Sequence, residues 1–184
     1  MDIKFLLIPL ILFLVVRLVV KILNRLKRYE VIIEESKKNV DIALAKRYDS
    51  ISQMINVAKS YAKYEKDTFI DLAKSRNNHS IKDFNTTMEN QDQTIDKIFA
   101  LAEAYPELRS SEEFLNLQKE IDDENEQLAA AKRIVNNNIS ILNQEIVSFP
   151  NSLVARIGGI RQLDFLDEDN IENKKSIDGF SYEV

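Results

Sequence analysis

The side chains able to do chemistry in this 184-residue sequence are numerous but scattered: 30 Asp and Glu, one His and no Cys. A metal centre or nucleophilic triad needs several donors at set spacings. The single histidine, His79, stands in an Asn77-Asn78-His79-Ser80 turn with no second His and no thiol to join it. The run Asp122-Asp123-Glu124 with Glu126 spreads around a helix and is expected to be a solvated face. Asp164, Asp167, Glu168 and Asp169 lack the alternate spacing and the glycine of a calcium loop. Gly158-Gly159 stands alone and does not make a phosphate loop. Carboxylates abound, but no pair stands out as a general acid and its partner. No catalytic residue, cofactor-binding residue or metal ligand is therefore expected, and the chain is not expected to be an enzyme.

The charged and amide groups that stand on apolar stripes are read structurally. Glu65 and Arg76 fall on or beside the stripe of the first long helix, about three turns or roughly 16 Å apart, too far to pair with each other. Each is expected to meet an opposite charge on another helix, because an unpaired buried charge is costly. Asn136 and Asn143 lie one heptad apart near Glu145, a spacing that commonly sets helix register or oligomeric state.

The elements that would carry these residues are helices. Gly and Pro number three each, and hydrophobic residues make up 45 % of the chain. From Tyr29 to about Asn77 there is neither Pro nor Gly, and Val40, Leu44, Tyr48, Ile51, Ile55, Ala58, Ala62, Phe69 and Leu72 mark one helical stripe. This stretch is one helix, or two with a break near Asp49-Ser50. A second helix is expected over 81–104, with a polar middle from Asn85 to Thr94 expected to fray, and Tyr105-Pro106 ends it. Ser111 is the expected N-cap of a third, with Phe114, Leu117, Ile121, Leu128, Ala131, Val135, Ile139, Leu142, Ile146 and Phe149 on its stripe and Phe149-Pro150 at its end. One-striped helices must bury their stripes on each other. The expected fold is all-α: an elongated antiparallel up-and-down bundle of three or four long helices on one N-terminal transmembrane helix.

The anchor is the run Phe5, Leu6, Leu7, Ile8, Pro9, Leu10, Ile11, Leu12, Phe13, Leu14, Val15, Val16. Extended from Ile3 through Leu23 it rises about 31 Å as a helix, against a hydrocarbon core of about 30 Å. Arg17 and Lys21 must then snorkel to one end. A cleaved signal peptide and an interfacial helix are the other readings, and the absence of a small-x-small site after the run disfavours cleavage. Residues 1–28 hold six Lys/Arg (Lys4, Arg17, Lys21, Arg25, Lys27, Arg28) against Asp2, so the net charge of −5 hides a basic end and a strongly acidic body. Such a body repels phosphate backbones, so no nucleic-acid partner is expected, whereas membrane lipid is. Basic residues after the run place the N-terminus outside and the body in the cytoplasm. The chain divides into an anchor with a basic flank (1–28), a helical bundle (29–163) and an acidic tail (164–184), mobile or strapped over the bundle.

Several segments resemble one family. Val40-Asp41-Ile42-x-Leu44-x-x-Arg47-Tyr48-Asp49 is similar to I-D-V-x-L-x-R-R-x-D, and Tyr61-Ala62-x-x-Glu65 with Ala73-x-x-Arg76 continues it. Glu103-Ala104-Tyr105-Pro106-Glu107-Leu108 resembles E-A-Y-P-[DE]-L, and Phe114-x-x-Leu117-Gln118-x-Glu120-Ile121 resembles F-x-x-L-Q-x-E-L. Phe149-Pro150-x-x-Leu153-x-Ala155-x-x-x-Gly159 resembles F-P-x-x-L-x-A-x-x-x-G-F. In this order behind an apolar N-terminus, the segments resemble the bacterial LemA family over about residues 30 to 165. The chain departs from it at Ser52, where the family has Pro, and at Asn125, Lys132, Val135 and Ile160.

The resemblance implies a helical bundle on a single span and no established reaction; some relatives act in organising internal membranes. With no site in view, the expected function is a single-pass bacterial membrane scaffold or adaptor holding an unidentified protein partner or further copies of itself. The alternative is a membrane-shaping protein. A small-ligand site in the bundle would need a polar pocket, and no small-molecule substrate is indicated.

Overall fold

The structure, a computed structural model, describes residues 3–61 and 81–166. Glu65, Arg76 and His79 lie outside them, as does the tail beyond Leu166. All the regular elements among the described residues are helices: α1 (Ile3–Tyr61), α2 (Ile81–Ala104), α3 (Pro106–Arg109), α4 (Glu112–Val147) and α5 (Asn151–Ile157). α1 passes through Asp49-Ser50 without a break and tolerates Pro9 inside it. Ser52 supplies the backbone N–H that a proline would remove, and its hydroxyl donates to the Tyr48 carbonyl at 2.7 Å.

The buried positions repeat every seven residues. In α1 they are Leu26, Ile33, Val40, Arg47 and Met54, with Ser36, Ala43, Ser50 and Val57 three further on. In α4 they are Phe114, Ile121, Leu128, Val135 and Leu142, with Leu117, Glu124 and Ala131 interleaved. In α2 Phe84, Gln91 and Ile98 keep the same step. A seven-residue repeat is the period of side chains that interlock between neighbouring helices.

The chain divides into two compact units. The first comprises residues 1–41 with 133–164, that is, the N-terminal part of α1, the end of α4, α5 and the segment after it. Ile22, Leu26, Ile33, Val40, Val135, Ile139, Leu142, Val154, Ala155 and Ile160 are its buried apolar residues. The second comprises the described residues between 42 and 132, with 165 and 166. Its core gathers Ile51, Met54, Ile55, Val57 and Ala58 from α1, Ile95, Ile98 and Ala102 from α2, Leu108 from α3, and Phe114, Leu117 and Ile121 from α4. Each of these side chains larger than alanine contributes about 1.5–3 kcal/mol when fully buried. Phe99 and Phe114 meet edge to face, ring centres 6.2 Å apart and planes at 89°.

Two family-like motifs are explained by this packing. Tyr105-Pro106 ends α2, and Pro106 opens α3 at a position where its missing N–H costs nothing. Within the same turn Leu108 is fully buried, and the Ser111 hydroxyl accepts from the Phe114 N–H at 3.2 Å, capping α4 as expected. At the other end, Gly159 has φ 67°. Its N–H donates to the Arg156 carbonyl (3.3 Å), and the Ile160 N–H donates to the Ala155 carbonyl (3.0 Å). This is a Schellman cap, which wants an apolar residue after the glycine. Buried Ile160 meets that need where the family has Phe.

Three expectations need correction. The middle of α2 does not fray: Met88 and Gln91 are buried and the helix is continuous. Phe149 is not on the α4 stripe but lies beyond its end, 82 % exposed. Glu124 does not belong to a solvated face; it is buried, while Asp122, Asp123 and Glu126 are exposed.

Candidate functional site: a polar layer in the helical core

Apart from Ser36, the heptad positions that are not apolar lie in the second unit. Arg47 and Ser50 lie one turn apart on α1, Gln91 and Asp92 are adjacent on α2, and Glu124 comes from α4. The Arg47 guanidinium forms an ion pair through Nη2 with Asp92 and donates through Nη1 to Gln91 Oε1 at 3.3 Å. Gln91 Nε2 donates to the Leu44 carbonyl at 3.0 Å, tying α2 to the α1 backbone. Ser50 Oγ donates to Glu124 Oε1 at 2.9 Å, tying α4 to α1. Asp92 is the outer end of the layer, its side chain 47 % exposed against 5 % for Arg47.

The layer is not fully satisfied. Arg47 Nε and Glu124 Oε2 are buried without a hydrogen-bond partner. Burial pushes the Glu124 carboxyl above its ordinary range, and Glu120 adds to the shift. The Ser50 hydrogen bond and the charges of Lys46 and Arg47 work in the opposite direction. Buried polar groups of this kind specify one helix register, because sliding any helix by one heptad would strand them among apolar side chains.

No group of three or more His, Cys, Asp or Glu that could hold a metal occurs among the described residues. The layer offers hydrogen bonds, one ion pair and a carboxyl with a raised pKa. A shallow open depression near Gln53, Glu112, Glu113, Asn116 and Glu120 is lined by exposed carboxylates.

The residues singled out in the sequence do not form one site. Leu7, Ile8, Leu10, Ile11, Leu12, Phe13, Leu14, Val15 and Val16 are exposed along α1; Phe5 and Leu6 belong to the same helix, with side chains outside the described ones. An 18-residue stretch within Leu7–Tyr61 has mean hydropathy 2.4, so by length and composition α1 can cross a membrane. Asp41 is half-buried, Asp49 exposed, and Tyr105 and Pro106 exposed at the α2–α3 junction. Leu117 is buried and Gln118 half-buried on α4. Asn136 is buried in α4.

Asn143 has a distinct task. Its amide donates to the Leu163 carbonyl and accepts from the Leu163 N–H, both at 2.9 Å, and so holds the segment after α5 as a paired strand would. Glu145 accepts from Arg25 Nη2 at 2.8 Å and from Asn151 Nδ2, joining α1, α4 and α5 within the first unit. Pro150 and Gly159 bracket α5.

Sequence reasoning overlooked Arg47, Ser50, Gln91 and Glu124 as a group. A heptad count would have found them, since Arg47 follows Val40 by seven residues and Glu124 follows Leu117 by seven. No curated protein matches the chain. The LemA family model matches residues 36–178, most of the sequence and all of the polar layer, and the chain therefore belongs to the LemA family.

Proposed function

We propose that this protein is a single-pass bacterial membrane scaffold, an adaptor that holds a protein partner or further copies of itself beside the bilayer and catalyses no reaction. The observation that carries this reading is the continuity of α1: one unbroken helix contains both the exposed apolar run 7–16 and the heptad stripe from Leu26 to Met54. A span that continues without a linker into a packed helix transmits orientation, which suits a protein that presents a surface at a fixed relation to the lipid. The polar layer supports the same reading, because its groups join helices: the Ser50 hydroxyl and the Glu124 carboxyl are bonded to each other and buried where α1 meets α4. An up-and-down order of the helices and a cytoplasmic location for residues 25–184 are parts of the proposal; the basic residues Arg17, Lys21, Arg25, Lys27 and Arg28 after the apolar run motivate the second.

Photocrosslinking in native membranes tests the scaffold. Reproducible adducts with a protein or with a second copy are expected, and recovery of the bare monomer alone at every exposed probe position would refute it. Orientation is tested separately, because the chain contains no cysteine. Ser110→Cys, at the exposed end of α3, is expected to react with a membrane-impermeant maleimide only after lysis. Reaction in intact cells would place the bundle on the outer side.

A further inference from the structure

The first unit exposes large apolar side chains close together in the sequence, on α5 and just before it. In α5 the inward side is Asn151, Val154 and Ala155, which are 6 %, 5 % and 1 % exposed. The outward side is Leu153 and Ile157, one helical turn apart and 57 % and 78 % exposed, with Arg156 between them. Phe149, just before α5, is 82 % exposed, and Val147, at the end of α4, is 63 % exposed. Four large apolar side chains turned outward within eleven residues are not what a solvated surface calls for.

The position of this face is set by two contacts. A Cβ built on Gly158 would come within 2.7 Å of Leu23 Cδ2, so the end of α5 abuts α1 at Leu23. Arg25 bonds Glu145, which in turn holds Asn151 at the start of α5. Leu23 is also the last residue of the apolar count from Ile3 that matches the hydrocarbon thickness. The apolar face of α5 therefore lies where α1 leaves the hydrocarbon.

Charge selects the occupant. Residues 149–163 contain Arg156 and Arg161 and no acid, and residues 17–28 contain five basic residues and no acid, in a chain whose net charge is −5. The contact at Gly158 brings these two acid-free segments together. A second copy meeting this face through the same face would oppose Arg156 and Arg161 with their duplicates. Apolar side chains interleaved with arginine suit the boundary between anionic headgroups and acyl chains.

We propose that Val147, Phe149, Leu153 and Ile157 form a second membrane contact, seated in the headgroup region of an anionic bilayer beside the emerging α1. The proposal rests on the reading of α1 as the span. It makes the Phe-Pro turn and α5 a collar that fixes the tilt of the helix in the lipid.

The chain has no Trp, so single tryptophans report cleanly. Phe149→Trp substitutes a side chain that is almost fully exposed, and Phe13→Trp reports the span on its own. Each full-length variant is reconstituted in vesicles of phosphatidylcholine and phosphatidylglycerol with lipids brominated near the headgroup end or deep in the chain. Trp at 149 is expected to lose emission chiefly to the shallow bromines, to be shielded from acrylamide, and to lose both effects in large part in phosphatidylcholine alone. Trp at 13 is expected to be quenched by the deep bromines. No lipid quenching at 13 overturns the span and the collar together. Quenching at 13 with none at 149 overturns the collar alone. Acrylamide shielding at 149 without lipid quenching assigns the face to a protein instead, and equal quenching in neutral vesicles overturns the part given to Arg156 and Arg161.

Discussion

Arg47→Ala is the change that weighs the polar layer most directly. The Arg47 side chain is 5 % exposed, so removing its stem forfeits two buried methylenes and leaves a space, together about 2–3 kcal/mol. Gln91 Oε1 loses its donor in a buried position, about 1 kcal/mol. The ion pair with Asp92 adds no more than about 1 kcal/mol, because that carboxylate is half-exposed and recovers water. Deleting the guanidinium also relieves its unpartnered Nε, offsetting about 1 kcal/mol. The net loss is about 3 kcal/mol, which for a chain of this size lowers the melting temperature by roughly 6–12 °C. Arg47→Met restores most of the buried stem and is expected to lose only about 1 kcal/mol. The assay is thermal unfolding in detergent followed by helical circular dichroism. Electrostatics provides a second readout. Arg47 is one of the groups that oppose the upward shift of Glu124, so its removal makes ionised Glu124 costlier, and the Ala penalty is larger at about pH 8 than at about pH 5. Equal melting of the Ala and Met variants, or a penalty independent of pH, would refute the reasoning.

Two further changes probe the layer and the strap. The native state holds the Glu124 proton more tightly than the unfolded chain does, so the contribution of this group is fully present below the ordinary Glu range and is lost as pH rises through the raised folded value. Glu124→Gln keeps an acceptor for Ser50 and removes the charge; it is expected to equal or exceed the parent in melting temperature at neutral pH and to flatten the fall of stability with rising pH, and a clear drop at neutral pH would count against this account. Asn143→Ala removes both bonds to the Leu163 backbone, a loss of about 1–2 kcal/mol; hydrogen exchange at the Leu163 amide should quicken while the amides of Ile139 and Leu142 stay protected, and unchanged exchange at Leu163 would refute the clamp.

Much of the helix layout was legible because helices end for local reasons. Pro106, Ser111 and Pro150 act within one turn of themselves, so α2 and α4 stop and start where those residues stand. The apolar run of α1 and the stripe from Val40 onward are features that composition and spacing reveal, whereas its earlier members Leu26 and Ile33 appeared only with their burial. Whether α1 broke at Asp49-Ser50 was not legible, since Ser50 is equally at home in a turn or facing Glu124. The short α5 was missed because seven residues give too few repeats to show a period.

The polar layer was harder to read. Glu124 sits in an acidic run whose neighbours are exposed, and only its seven-residue step from Leu117 separates it from Asp122 or Asp123. Its burial follows from where α4 meets α1, and its raised pKa follows chiefly from that burial, to which the charge of Glu120 adds. Asn143 likewise resembles any helix-surface amide until the chain returns to place Leu163 against it. By itself the sequence determined the end of α2, the start of α4, the apolar N-terminal run, the charge asymmetry and the family, because each depends on neighbours along the chain. Only the tertiary structure decided which polar residues lie inside, that Gly158 meets Leu23, and that Phe149 faces outward, because burial is a property of what other segments bring alongside.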